Sequence, residues 1–516
     1  MSRPQRRPRS RERRSRDAGI ATLPWQPVDN PYPPLEPLSA DQVEAIHEAS
    51  MTLLEEKGIE VMGEAALELF EKAGAEVDRA AAGPGSAVVR LDRALVLEEI
   101  AKAPSKFRLT PRNPDHVLEL GGNRLHFGLV SGAPNLHDRI NGRRAGNLPD
   151  YTRLVSLAQC FPCIHFLGSQ PAPPIELPAN SRHLDIARTN LVHTDRIFHA
   201  IGIGAGRVAD AIEMVARARG MTAEELEADP SVITNININS PRKLDEAMAD
   251  GLMESARRNQ ATIVTPFTLM GAMTPVTLAA ALTQQNAEAL LGLTLVQLTR
   301  PGAPMVYGGF TSNVDMKTGA PAFGTPENAK ANLAGGQFAR RYGLPYRTSD
   351  CNASNTVDAQ ATWETMMALW GAVMGHGNLI YHGAGWLEGG LVASFEKVVV
   401  DAEILQHMTA FLKPIDTAPD EIALEAIEGV PPGGHFFGTA HTMARYETAF
   451  YAPFLSDWRT QENWQIDGAK TATERATEIW QRLLKEYEPP AMDPARLEAI
   501  DAYVAQRKET LGGEDP

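Results

Sequence analysis

The sequence predicts an α/β protein, a (β/α)8 TIM barrel with helical segments added on its N- and C-terminal sides. Three observations carry that expectation. From residue 125 onward, short apolar runs alternate with amphipathic stretches. Eight such pairs follow one another at a spacing of roughly 25–45 residues, which fits a closed barrel. Several of the amphipathic stretches also open on helix-capping pairs and close on glycine. An open doubly wound sheet is the other way to arrange alternating strands and helices. It usually has fewer strands and a glycine fingerprint at its first turn. The nearest segment here, "GIGAGR" (202–207), lacks the final glycine and follows the third strand, so it reads as a tight strand-to-helix turn.

The expected strands are "LHFGLV" (125–130), "CIHFLGS" (163–169), "IFHAIGI" (197–203), "SVITNINI" (231–238), "ATIVTPF" (261–267), "PMVYGGF" (304–310), "PYRTSD" (345–350) and "NLIYHG" (378–383). A helix follows each of them. Ser240-Pro241, Thr274-Pro275 and Thr325-Pro326 are expected helix starts. The hydroxyl serves an orphan amide there, and proline lacks the amide that would be orphaned. Gly220, Gly343 and Gly375 are expected helix ends. The chain divides into a disordered basic tail (1–20), a proline-rich lead-in with a mostly helical cap (21–124), the barrel (125–412) and a C-terminal helical extension (413–516). Within the extension, "HFFGTAHTMARYETAFYAPF" (435–454) reads as strand-like, and helices are expected from Thr473 and Pro494.

Composition narrows the function classes. The chain has 516 residues, 43% hydrophobic and 22% charged, which suits a globular enzyme. Its most apolar helix, "VTLAAALTQQNAEALLGLTLVQL", is broken by Gln284, Gln285, Asn286 and Glu288, so no membrane span is expected. The N-terminus has no hydrophobic signal core, and three cysteines suit a reducing compartment, so a cytoplasmic protein is expected. Eight arginines and one acid in the first 16 residues give +7, leaving −22 for the rest of a chain whose total is −15. So acidic a body argues against nucleic acid as the partner, because phosphate neutralisation needs basic surface.

In a barrel, chemistry collects where strands end and helices begin. Those positions hold Tyr307, Phe310, Asp350, Cys351, Asn352, Tyr381, His382, Trp386 and Glu388. The set contains no Schiff-base lysine, no G-x-S-x-G and no metal-spaced carboxylates and histidines, so no residue is assigned to a metal. It is rich in aromatics, whose faces attract quaternary ammonium groups. Cys160 and Cys163 have C-x-x-C spacing, but they fall at the opposite barrel end from Cys351 and read as ordinary buried residues. His165 and His199 lie inside expected strands, where core roles are commoner than ligation. The loop "DCNASNTVD" (350–358) offers Asn355 or Thr356 as a helix cap, with Asp358 in the first turn.

The run "GLPYRTSDCNASNTVDAQATWETMMALWGAVMGHGNLIYHGAGWLEGGLVASFEKVVVDAEI" resembles the trimethylamine methyltransferase family, as do "LLEEKGIEV" and "LFEKAGAEVD" near the N-terminus. The resemblance implies a barrel that moves a methyl group from a methylated amine to the cobalt of a corrinoid. It also implies that the corrinoid (cobalamin) is supplied by a small partner protein. This chain has no D-x-H-x-x-G corrinoid motif of its own. Archaeal trimethylamine enzymes carry pyrrolysine after the seventh strand, whereas this chain has only standard residues there. That departure points to a quaternary amine such as a betaine, which already carries the positive charge that makes its methyl labile.

On this reading Asp350 and His382 are the candidate catalytic groups. Tyr307, Phe310, Cys351, Asn352, Trp386 and Glu388 are the candidate substrate contacts, and Gly308, Gly309 and Gly383 the candidate corrinoid contacts. A homo-oligomer is expected. The alternative is a small-molecule-binding protein, or another barrel enzyme, without methyl transfer.

Overall fold

The computed structural model describes residue 20 and residues 22–512; the expected basic tail lies outside them. Parallel strands Arg124–Leu129, His199–Ala200, Ile233–Ile236, Ala261–Val264, Met305–Gly308, Tyr346–Ser349 and Leu379–Ala384 pair side by side. The ring closes through Phe166, which bridges Gly128 on one side and Ile197 on the other. Every expected strand is therefore in the barrel, but the second contributes only that bridge. Its neighbourhood explains the brevity. Gly168 lies so close to the first strand that a Cβ would sit 2.4 Å from Val130 O. Gln170 and Ala172 then take positive φ values beside Pro171 and Pro173.

Alternation along the strands sorts side chains into two layers. Phe166, Ile197, Ile233, Ile263, Val306, Leu379 and Tyr381 fill the barrel interior. Leu109, Leu118 and Leu120 join them from a hairpin, Phe107–Leu109 with Leu118–Leu120, which plugs the end where the strands begin. Met305, Tyr307 and Tyr346 point the other way, into the layer beneath the helices.

The outer helices are Leu148–Gln159, Arg182–His193, Ala205–Arg219, Glu246–Arg257, Leu278–Thr299, Pro326–Arg341, Ala359–Met374 and Phe395–Phe411. Thr325 caps its helix as expected, accepting from Asn328 N. The other two hydroxyl–proline pairs lie in turns. Glu246–Arg257 starts later, capped by Asp245, because the Ser240 hydroxyl is taken by Glu288, which also accepts from Arg242 N at 2.8 Å. Leu278–Thr299 likewise begins three residues beyond Thr274-Pro275. Gly220 ends its helix in the left-handed region, as glycine allows.

Two stretches depart from the expected structure. Residues 40–104 are helical over more than half their length, as expected, but they also hold a sheet that was not expected. Between helices Ala40–Thr52, Glu64–Lys72 and Arg93–Ile100 lies an antiparallel sheet of Ile59–Met62, Ser86–Arg90 and Glu76–Asp78. Gly58, at φ +69, breaks the helical run, and "IEVM" then alternates buried and half-buried as a strand does. Residues 435–454 hold no strand; they form turns around helix Ala440–Arg445, with Phe437 and Phe450 exposed. The last two helices, Ala472–Glu486 and Pro494–Leu511, fall where expected and pack on the barrel's outer helices.

Candidate functional site

The seventh and eighth strands build the centre of the site. Register pairs Arg347 with Leu379 and Ser349 with Tyr381, so these four side chains share the interior parity. Arg347 is therefore an arginine turned into the barrel, 3% exposed. Its guanidinium carbon lies 4.4 Å from the Tyr381 ring centroid and 5.2 Å from that of Phe310. Burial lowers its pKa to about 10, which still leaves it charged at neutral pH. Its Nη1 donates to Gly309 O at 3.4 Å, while its Nε has no hydrogen-bond partner and no carboxylate pairs with it among the described residues.

Two histidines flank this cation, and the backbone fixes which nitrogen of each carries the proton. His382 Nδ1 accepts from Ser131 N at 3.1 Å, so in the neutral ring Nε2 holds the hydrogen, 3.5 Å from Arg347 Nη2. His199 Nε2 accepts from Asn235 N at 2.7 Å, so its Nδ1 holds the hydrogen, and that atom has no partner. Burial first, and Arg347 second, hold His382 well below its ordinary pKa and His199 down to about 3. Both rings are therefore neutral donors. The Tyr381 hydroxyl is also unpartnered. Its ring centroid is 5.8 Å from His199 and 6.0 Å from His382. Donors thus converge on the barrel interior, where the acceptors in reach are Gly309 O, 3.4 Å from Arg347 Nη1, and the Tyr381 hydroxyl oxygen, and no carboxylate faces them. Such a cluster is costly unless an anion completes it.

The start of the loop after the seventh strand, Asp350 to Asn352, is closed from solvent. Asp350 is 1% exposed, its backbone N bonds Tyr381 O at 2.8 Å, and neither carboxyl oxygen has a partner. Burial, then the neighbouring Asp401, push its pKa well above the carboxylate range; Lys397 opposes them. Burial thus favours the neutral, protonated form of Asp350. Lys397 is committed elsewhere, to Asp401 and to Thr365 Oγ1 at 2.9 Å. Burial raises the Cys351 thiol, with Asp350 as a smaller cause. Asn352 ties the loop to the next one: it donates to Trp386 O at 2.6 Å and its own carbonyl accepts from Trp386 Nε1 at 3.0 Å. The cap of helix Ala359–Met374 is Asp358 rather than Asn355 or Thr356, because Glu364 takes the preceding amides of Ala353 and Ser354.

Above Arg347 sits an aromatic cluster. Phe310 has ring centroids of Phe323 at 5.5 Å, His382 at 5.6 Å, Trp386 at 6.1 Å and Phe267 at 4.9 Å. Trp386 reaches His382 at 4.2 Å. Phe310, His382 and Trp386 are therefore brought together, and Asn352 is joined to Trp386, whereas the charges acting on Asp350 are Asp401 and Lys397.

Other candidates are placed elsewhere. Tyr307 faces the helix layer, where its hydroxyl donates to Asn286 Oδ1 at 3.0 Å, because its strand parity is that of Tyr346. Glu388 pairs with Arg143 Nε at 3.0 Å and so is balanced by that cation. The glycines answer to packing. A Cβ on Gly308 would lie 1.9 Å from Thr265 Oγ1, on Gly309 3.2 Å from Gln285 Nε2, and on Gly383 3.3 Å from Gly128 O. Cys160 and Cys163 are free thiols with pKa values raised by burial, and each donates to a backbone carbonyl. The metal-spaced group Glu44, His47 and Glu48 lies on helix Ala40–Thr52, outside the barrel. Arg347 and His199 were missed as functional residues. An arginine inside an otherwise apolar strand was the available signal.

Among the described residues, no helix is long and apolar enough to cross a membrane. A family model described as trimethylamine methyltransferase (MTTB) matches residues 3–512. Glycine betaine methyltransferase of Desulfitobacterium hafniense is 35% identical over 478 residues, which is 92% of this chain and 98% of that protein. Trimethylamine methyltransferase MttB2 of Methanosarcina mazei is 28% identical over 481 residues, 90% of this chain and 94% of its own. Among solved structures, the hydroxylamine complex of MtmB covers 89% of this chain and 92% of its own, with a TM-score of 0.47 and 8% identity.

Proposed function

Because this chain belongs to the trimethylamine methyltransferase family, we propose that it transfers a methyl group from a betaine to the cobalt of a corrinoid carried by a separate protein. A betaine joins a quaternary ammonium to a carboxylate. The observation that carries this reading is the set of unmatched donors beneath the aromatic cluster: Arg347, His382 Nε2, His199 Nδ1 and Tyr381. A carboxylate supplies the missing acceptor and the missing charge, and Arg347 is the side chain that grips it bidentately. Phe310 and Trp386 then face the ammonium group, each aromatic contact contributing about 0.5–2 kcal/mol. The 35% identity to a glycine betaine methyltransferase supports the same substrate class.

The residues position the substrate rather than exchange protons with it. A corrinoid delivered at the barrel mouth would supply the cobalt nucleophile that accepts the methyl carbon. The C–N bond breaks and its electron pair stays on nitrogen, so the leaving amine is neutral and needs no acid. The ammonium charge disappears along the way. An ionised carboxylate beside it would stabilise the starting state more than the transition state and slow the step. Burial favours the neutral form of Asp350 and so reduces that cost. His382 acts as a fixed donor to the substrate carboxylate. Cys351, with its raised thiol, contributes shape and no nucleophile.

The test is spectroscopic. Reduced cobalamin is mixed with the protein and a series of betaines, choline or trimethylamine, and cobalt methylation is followed by absorbance. Methylation by a betaine and not by trimethylamine is the expected result. Methylation by trimethylamine but by no betaine overturns the carboxylate reading. Saturable betaine binding without any methylation, also with the carrier protein present, assigns the chain to the alternative class of binding proteins.

A further inference from the structure

Between the barrel's last helix and the terminal helices runs a segment, Lys413 to Phe450, that forms helices Pro419–Ile422, Leu424–Glu428 and Ala440–Arg445 while burying none of its residues. Ordering backbone costs about 1–2 kcal/mol per residue and is normally offset by burial. Here the apolar side chains that would offset it point to solvent: Ile415 is 87% exposed, Phe437 83% and Phe450 85%. Exposed apolar area on this scale marks an interaction surface rather than a finished one.

The same chain leaves a matching surface bare. Helix Ala359–Met374 exposes Trp363, Met367 and Trp370, spaced as one helical stripe, and Trp370 continues it to the exposed Phe411 at 5.1 Å. The arm begins where that stripe ends. Its root lies at the end of the barrel where strands begin: Tyr32 joins Phe411 O there at 3.3 Å, and Leu35 N joins Met374 O at 2.9 Å. It rejoins the body at Phe454 and Leu455, whose amides bond Glu403. Asp350 and Trp386 sit at the opposite end of the barrel, so a protein visiting the mouth does not cover the arm.

We propose that residues 413–450 form an exchange arm that packs on the Trp363–Met367–Trp370 flank of a second copy of this chain. The area suits a dimer. Four arm aromatics, Phe436, Phe437, Tyr446 and Phe450, expose on the order of 500 Å2 together, taking about 200 Å2 for each whole side chain. Two arms and the two flanks they meet then reach the roughly 1,600 Å2 of a standard stable interface. A reciprocal exchange also closes on itself, as a two-fold interface does.

Light scattering of the full chain at about 10 μM tests this, alongside an arm variant (Phe437→Asp with Phe450→Asp) and a flank variant (Trp363→Asp with Trp370→Asp). The concentration is chosen well above the Kd of an interface of this size. A dimeric or higher mass for the natural chain, and monomers for both variants with unchanged circular dichroism, is the expected result. A monomeric natural chain overturns the proposal, and so does an arm variant that keeps the natural mass. If the natural chain is monomeric and the arm variant loses methyl transfer only to protein-borne corrinoid, the arm belongs to the carrier and the exchange is wrong. The masses are read without substrate, so this test and the betaine test fail separately.

Discussion

Replacing Arg347 by methionine separates the two halves of the proposed substrate. Methionine keeps most of the side-chain length and can still lie against Tyr381 and Phe310, which the guanidinium contacts at 4.4 and 5.2 Å. It removes the charge and the donors. A hydrogen bond to a charged group contributes about 1.5–3 kcal/mol, and a bidentate grip uses two. One lost bond weakens betaine binding about 10–100-fold, and two lost bonds by about 100-fold or more, at 1.4 kcal/mol per tenfold. Choline or tetramethylammonium has no carboxylate, so neither loses affinity. The empty protein loses the bond to Gly309 O and the cation–π contacts but is relieved of a buried charge without an ion-pair partner among the described residues, so its stability should change little. Calorimetric titration of Arg347→Met with glycine betaine and with choline, together with its thermal midpoint, reads all three effects. Equal losses for both ligands would place Arg347 in general packing. Unchanged betaine affinity would refute the carboxylate site outright.

Asp350 carries a pH signature. A carboxyl whose folded pKa is raised binds its proton more tightly folded than unfolded, so stability falls as pH climbs above the ordinary value of 3.8. The loss is about 1.4 kcal/mol per pH unit until the folded pKa is passed. Asp350→Asn removes that slope, and melts between pH 4 and 8 should show the variant gaining on the natural chain as pH rises; a constant gap would contradict it. Trp386→Phe deletes the bond to Asn352 O and should cost about 1 kcal/mol in urea unfolding, whereas Trp386→Ala should cost about 3–5 kcal/mol. Gly308→Ala drives a Cβ to 1.9 Å from Thr265 Oγ1 and should destabilise the fold by the roughly 1–3 kcal/mol of an overpacked core, lowering the thermal midpoint; an unchanged midpoint would show that the strands part easily. Cys351→Ser should keep most cobalamin methylation, and a methylated Cys351 trapped by mass spectrometry would overturn that.

Barrel strands were legible because a strand buried on both faces is a short apolar run, and eight such runs at barrel spacing leave few architectures. The Thr325-Pro326 start was legible because capping is local. Ser240-Pro241 carries the same local signal, yet its hydroxyl bonds Glu288, 48 residues away. No local rule sees that partner. The sheet built from Ile59–Met62 and Ser86–Arg90 was hidden for a related reason, since four- and five-residue strands between helices barely interrupt a helical pattern.

The site was half legible, and parity explains which half. Positions just beyond strand ends can be read off as a list, which is how Phe310, Asp350 and Trp386 were reached. Which way a residue inside a strand points depends on the pleat, and a count that is off by one inverts every choice. Tyr307 and Arg347 show it on paired strands. Register sets Tyr307 against Tyr346 and Gly308 against Arg347, so the tyrosines face the helices and the arginine faces the interior. The histidines needed still more. His199 and His382 look like core residues until the backbone amides of Asn235 and Ser131 occupy one nitrogen of each. Only then does the remaining N–H become an unmatched donor, and only beside Arg347 do two such donors describe a carboxylate. That chemistry is carried by pairings 36 and 251 residues apart, so it exists in the closed barrel and not in any window of the chain.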